Sequence, residues 1–422
     1  MTSYDSLLEY TSSLKIIDTH EHLPTEKDWA AQDHDILAEW MRHYISSDIV
    51  SAGLKAEIMD RDIRGTGLDV HEKWKILEPF WNATKNTAYA RTFDHVSRDI
   101  YGVPGINSRT VGDLDRIFRE RRQNSLKGQS YYKFILKEKS GIEISIVDGL
   151  DGKKEFDRSL FRCAYRADRF LSPKNIDEIR ITANLIGADV NSLEDWKNAC
   201  EIEIDTKIKD GVVALKSGVA YRRSLHFPET DEKDASKVFS EIMKNRKCDT
   251  SPLENHMMHH IMKISNERGL VIQVHTGLHE GNGNIISNSN PELLINLFLK
   301  YENITFDIFH ISYPYQNILA AIAKNFQNVM IDMCWAHIIS PTASVNALLE
   351  FLDSVPSNKI SGFGGDYIPI DGVYGHQKIA RRNIAKALSI KVDDEVFDLD
   401  FAKEICRRLL VDNPKRIFNL SD

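Results

Sequence analysis

A chain of 422 residues is long for a single domain, but one barrel with a large insertion uses all of it. Apolar residues make up 42% and charged residues 27%, a globular balance that calls for neither disorder nor a bilayer. The formal charge of −8 and the lack of a basic stripe argue against phosphate-backbone binding, so neither nucleic acid nor membrane is an expected partner.

The N-terminal stretch Met1 to Tyr10 lacks the basic-then-apolar order of a signal peptide, and no run reaches transmembrane length; a cytoplasmic location is expected. The five cysteines are scattered and form no C-x-x-C pair, which indicates neither a disulfide framework nor a thiolate zinc site.

Short apolar runs ending in a polar residue recur along the chain with helical patterns between them, the rhythm of parallel strands and crossover helices. The first run is Leu14–His20. Thr25 to Ser140 then breaks the rhythm and reads as helices: Ile36, Leu37, Trp40, Met41, Tyr44 and Ile45 make one apolar face, and Trp74, Leu77 and Trp81 another. The runs resume with Ile142–Asp148, Leu160–Arg166, Val212–Lys216, Val271–His275, Ile304–His310, Val329–Trp335 and Ile360–Asp366.

Leu160–Arg166 follows its predecessor after only Gly149 to Ser159, about the minimum for a parallel crossover. Its rival as a strand is Ile179–Ile186, but Ile176, Ile179, Ala183 and Ile186 repeat at helical spacing. Before the fifth run, Ser251 can cap a helix that has Pro252 in its first turn and Gly269 past its end. After the eighth, Ala380, Ile384 and Leu388, then Phe401, Ile405 and Leu409, repeat as closing helices.

Residues 1–422 thus read as one α/β unit: a (β/α)8 TIM barrel with a helical insertion, 25–140, after strand 1 and closing helices at the C-terminus. An insertion in a βα loop sits on the C-terminal face, where barrel sites are built, so a lid or pocket wall is expected.

In Ile16-Ile17-Asp18-Thr19-His20-Glu21-His22 the two histidines are spaced by two, and in a strand i and i+2 point the same way. Alone, such a pair is weak evidence for a metal site. It gains force because His275, His310 and Asp366 each end a predicted strand, where barrel cores are ordinarily aliphatic and polar residues read as catalytic. Arg166 and Arg222 are placed to bind a substrate carboxylate with their planar forks, and Tyr313 is counted with them. His256, His259 and His260 lie within one helical turn but lack an H-E-x-x-H pattern, and read as a helix face outside the barrel.

Asp18-Thr19-His20-Glu21-His22-Leu23, Val274-His275-Thr276-Gly277-Leu278, His310-Ile311-Ser312-Tyr313-Pro314 and Phe363-Gly364-Gly365-Asp366, taken in order, resemble the amidohydrolase superfamily. The likeness is strongest to its amidohydrolase-related (amidohydrolase 2) branch and to uronate isomerases, helped by Val373-Tyr374-Gly375-His376 and Asp412-Asn413-Pro414-Lys415-Arg416-Ile417. The resemblance implies that His20 and His22 bind a divalent metal, and that Asp366 binds it and moves protons. It also implies that His275 is a further ligand or polarises substrate, and that His310 contacts metal or substrate.

Lys216 stands where binuclear relatives carry a carboxylated lysine bridging two metals. An ammonium that binds a substrate carboxylate, or a lysine of depressed pKa, is the alternative, so one or two ions are expected, the resemblance to uronate isomerases implying one. Zinc comes first, with manganese, iron and nickel behind it.

The reaction expected on this basis is metal-dependent hydrolysis, an activated water attacking an amide, lactone or ester of a small, carboxylate-bearing substrate. The alternatives are aldose–ketose isomerisation of a sugar acid, as in uronate isomerases, and metal-dependent decarboxylation. A homo-oligomer is the common state for such an enzyme.

Overall fold

The computed structural model describes residues 2–149 and 155–420. Eight strands form its centre: β1 (Ile16–Glu21), β2 (Ile142–Asp148), β3 (Phe161–Arg166), β4 (Val212–Ser217), β5 (Val271–Val274), β6 (Phe306–Ile308), β7 (Val329–Asp332) and β8 (Ile360–Ser361). They pair in chain order, each parallel to the next. The ring closes just beyond β8, where Thr19 donates its N–H to the Phe363 carbonyl (3.1 Å), His22 to that of Tyr367 (3.0 Å) and Asp366 to that of His20 (2.7 Å). The expected (β/α)8 barrel is therefore the fold.

The run Leu160–Arg166 is β3, and its rival lies in the helix Ile176–Ile186, ended by Gly187 in the left-handed region at φ 73°. Part of the short connection before β3, residues 150–154, lies outside the described residues. Four expected strands prove too long. β5, β6, β7 and β8 stop at Val274, Ile308, Asp332 and Ser361, so His275, His310, Trp335 and Asp366 stand past the strands rather than at their last residues. The reason is local for three of them: His310, Trp335 and Asp366 have φ of 64°, 59° and 56°, a conformation that turns the chain out of a ladder. The helix Ser251–Arg268 also corrects its cap, because Thr250 holds the N-cap position and Ser251 is the first helical residue; Gly269 ends the helix at φ 65°, as expected.

Between β1 and β2 the chain is helical, the longer pieces being Val70–Thr84, Ala88–Asp99 and Val111–Leu126. Both apolar faces read from the sequence are buried. Asp371, which opens the long helix Ile370–Asp393 just after the β8 loop, fastens this insertion to the barrel. Its carboxylate accepts from Trp40 Nε1 (3.0 Å), Tyr101 OH (2.7 Å) and Tyr131 OH (2.6 Å), all buried. At the other end of the barrel, Ile417 and Phe418 pack with Ile146, Ala164, Ala214, Val271 and Met330 from five strands. The closing segment thus plugs the barrel floor.

Among the described residues no helix is long and apolar enough to cross a membrane, and none of the five cysteines is in a disulfide.

Candidate active site

β1 carries His20 to the mouth of the barrel and His22 one step beyond it. Asp366 reaches the same point from the far side of the ring, because the β8 loop runs against β1. Gly364 and Gly365 make that approach possible: a Cβ on Gly365 would lie 1.8 Å from Glu21 Oε1, and one on Gly364 would lie 2.6 Å from Thr19 Oγ1. Behind them, Asp18 accepts from Gly365 N–H (3.0 Å) and from Ser145 Oγ (2.8 Å), while Glu21 accepts from Tyr367 N–H (2.7 Å). Tyr44, from the insertion, donates its hydroxyl to the Asp366 carbonyl at 2.6 Å.

Asp366 Oδ1 lies 3.1 Å from His22 Nε2 and 3.7 Å from His20 Nε2. His20 is completely buried, yet neither of its ring nitrogens has a hydrogen-bond partner among the described residues. An unsatisfied buried imidazole is costly unless a further group binds it. Ligand atoms of His20, His22 and Asp366 lie within 4.8 Å of one another, and two imidazoles with one carboxylate suit a borderline divalent ion. These residues therefore fit the divalent metal that the family typically binds.

The electrostatics agree with such a role. Burial, then the positive Lys216 and the neighbouring His22, holds His20 well below the usual imidazole range, so it is neutral and its lone pair is available. For Asp366 burial works upward, but the hydrogen bond and charge of His22, with His310 and His20, outweigh it and keep the carboxyl well below its ordinary value. Lys216 is pushed down to about 8 by burial, opposed by the attraction of Asp366; its Nζ sits 3.6 Å over the Phe309 ring.

A cavity of about 480 Å³ opens over this cluster. Of the expected site residues, His22, Arg166, Lys216, His275 and Asp366 line it, and His20 and His310 lie directly beneath. Arg222 is exposed and lies outside the lining, and Tyr313 is half-buried with its carbonyl taken by Leu278 N–H at 2.6 Å; the fold brings neither to the cavity. Arg166 is already paired with Asp148, which itself lies 3.8 Å from His22 Nδ1.

His275 is not in the His20, His22 and Asp366 group. Its Nε2 donates to the Leu278 carbonyl (2.9 Å) and its Nδ1 faces His310 Nε2 at 3.0 Å, while His310 Nδ1 donates to the Cys334 carbonyl (2.9 Å). The helix face of His256, His259 and His260 lies by a separate outer groove, its rings bonded to backbone carbonyls and to the Tyr301 hydroxyl.

Sequence reasoning passed over Arg42, His43, Tyr44, Asp148 and Glu280, which also line the cavity. Asp148 had the same signal as His275, a polar residue ending a strand. For Arg42-His43-Tyr44 the signal was a run of polar-tipped side chains closing an apolar helical face; His43 is buried and pushed down to about 3 by that burial, hence neutral.

The family model described as amidohydrolase matches residues 190–420. Protein fluG of Emericella nidulans is 22% identical over 241 residues, which are 54% of this chain and only 28% of that protein. A uronate isomerase of Cutibacterium acnes is 22% identical over 455 aligned positions, covering 97% of this chain and 94% of that one. The crystal structure of a uronate isomerase from Thermotoga maritima superposes with a TM-score of 0.81 at 16% identity, over 99% of this chain and 97% of that one. With strands 4 to 8, the loops that carry His275, His310 and Asp366, and the closing helices all inside the matched region, the chain belongs to the amidohydrolase family.

Proposed function

We propose that this protein is a metal-dependent isomerase that interconverts the aldose and ketose forms of a small sugar acid. The observation that supports this reading most is the end-to-end likeness to a protein named uronate isomerase, 97% of one chain against 94% of the other, which includes the insertion that supplies Arg42, His43 and Tyr44 to the cavity. It supports isomerisation better than the hydrolysis that the sequence motifs favoured. The cavity chemistry is consistent: Arg42, Arg166 and Lys216 offer positive charge for a carboxylate, and the volume is in the range of small-ligand pockets.

His20, His22 and Asp366 would hold the ion, which when bound supplies Lewis-acid polarisation of a carbonyl and its neighbouring hydroxyl. Isomerisation moves one proton between adjacent oxygens and one between adjacent carbons, with no net gain or loss. Asp366, ionised through the neutral range, accepts the hydroxyl proton and returns it. The neutral imidazole of His43, in the wall contributed by the insertion, is a further proton acceptor lining the cavity. Lys216 and Arg166 orient the carboxylate, and the insertion wall excludes water.

Hydrolysis of an acidic amide or lactone stays as the second reading, favoured by His275, His310 and Lys216, which crowd the mouth beyond the three metal-holding residues. The test is incubation of metal-loaded protein with D-glucuronate and D-galacturonate, followed by detection of ketose. Ketose formation that disappears on chelation and returns with added divalent ion is the expected result. No ketose, together with turnover of lactones or N-acyl amino acids, overturns isomerisation in favour of hydrolysis.

A further inference from the structure

We infer that Cys334, as a thiolate whose proton is released to solvent when the ion binds, forms with His310 and Asp366 a second cation site beside the first, one suited to a borderline or soft divalent ion such as zinc, cobalt or cadmium. Cys334 Sγ and ligand atoms of His310 and Asp366 lie within 4.8 Å of one another, and all three residues are buried. Cys163, Cys200 and Cys406 are also buried thiols, and for them packing as a small apolar side chain is sufficient explanation. What sets Cys334 apart is its company.

Three local features aim these groups at one point. Cys334 is pinned by its own backbone: its N–H donates to Asp332 Oδ1 (2.7 Å) and its carbonyl accepts from Ala336 N–H (2.7 Å) and from His310 Nδ1 (2.9 Å). That last bond fixes the His310 tautomer and leaves Nε2 as the ligating nitrogen, the arrangement found around metal-bound histidines. Gly364 packs against the thiol so closely that a Cβ there would come within 2.8 Å of Sγ, which keeps side chains from intervening between Cys334 and the β8 loop that carries Asp366.

The contact between His310 and His275 adds an independent reason. Carbonyl oxygens only accept, so the outer nitrogen of each ring carries the hydrogen, and in two neutral rings the inner nitrogens, 3.0 Å apart, both present lone pairs. Such a pair repels unless a positive charge, either a proton held between them or a metal ion, lies close to both. A metal ion on His310 Nε2 is one such charge, and Asp366, shared with the first site, balances it. A sulfur ligand then biases this position towards zinc, cobalt or cadmium and away from magnesium and manganese.

The test is stepwise Co2+ titration of the chelator-stripped full chain, followed by elemental analysis and by near-ultraviolet absorbance, where sulfur-to-cobalt charge transfer appears. Wild type is expected to take two ions per chain, the charge-transfer band growing with one of them. Cys334→Ser and Cys334→Ala should each keep one ion and lose the band; alanine excludes ligation by the serine hydroxyl. Variants that bind as many ions as wild type overturn the inference, as does a wild type that takes one ion with no band. A wild type that binds no ion overturns the His20, His22 and Asp366 reading as well, so the two failures are distinguishable.

Discussion

Asp366 takes its character from three imidazoles at graded distances, 3.1 Å to His22, 3.7 Å to His20 and 3.8 Å to His310. Its folded pKa lies below the unfolded value, so its contribution to stability is complete above the unfolded pKa and is lost as pH falls through the folded one. Asp366→Asn keeps the shape and removes the charge; turnover should fall by about 10²–10⁴-fold, measured at saturating metal. Lys216 has the opposite linkage. Burial lowers it from 10.5 to about 8, so the unfolded chain holds that proton more tightly, and the metal-free protein should gain stability as pH rises from 8 towards 10.5. At pH 7 the buried ammonium costs about 3 kcal/mol by the same linkage. Lys216→Met should therefore raise the melting temperature at pH 7 and flatten its rise above pH 8, while weakening binding of an acidic substrate. An unchanged melting curve would refute the buried-charge account. Gly365→Ala should abolish metal uptake, since the new methyl group meets Glu21 Oε1.

At the scale of elements, the insertion and the helix Ile370–Asp393 meet through Asp371. Asp371→Ala leaves three buried donors, Trp40, Tyr101 and Tyr131, without their acceptor. The expected loss is about 3 kcal/mol or more, visible in urea melts, with proteolytic cleavage between β1 and β2 preceding cleavage of the barrel. Cleavage at wild-type rates would show that the apolar faces alone hold the insertion. The existence and type of these elements were legible: short apolar runs ending in a polar residue marked the strands, and the faces of Ile36 to Ile45 and Trp74 to Trp81 marked helices. Strand ends were less legible, because His310, Trp335 and Asp366 leave the ladder through left-handed backbone, which no side-chain periodicity announces.

For the molecule as a whole, the barrel is closed at its floor by the end of its own chain. Phe418→Ala removes the largest side chain of that plug and should cost about 3–5 kcal/mol, read as a fall in melting temperature and faster thermal inactivation. The insertion covers the other end and makes part of the cavity wall. The cavity lining is accordingly divided between the strand ends and a segment that belongs to none of them.

The sequence by itself determined the barrel, and it offered His20, His22, Lys216, His275, His310 and Asp366 as candidates for its mouth. Each strand carries its own signal in a short apolar run and the polar residue that ends it, and a barrel of consecutive parallel strands brings their ends together. Only the tertiary structure decided which of these residues share a point, and which others join them. Tyr44 meets Asp366 across 322 positions of chain, Asp148 is already held by Arg166, and Arg222 turns outward. Cys334, which had no sequence signal as a ligand, stands beside His310 and Asp366. Such contacts depend on loop backbone and on how the helices of the insertion dock, and both are set by packing between residues that lie far apart along the chain.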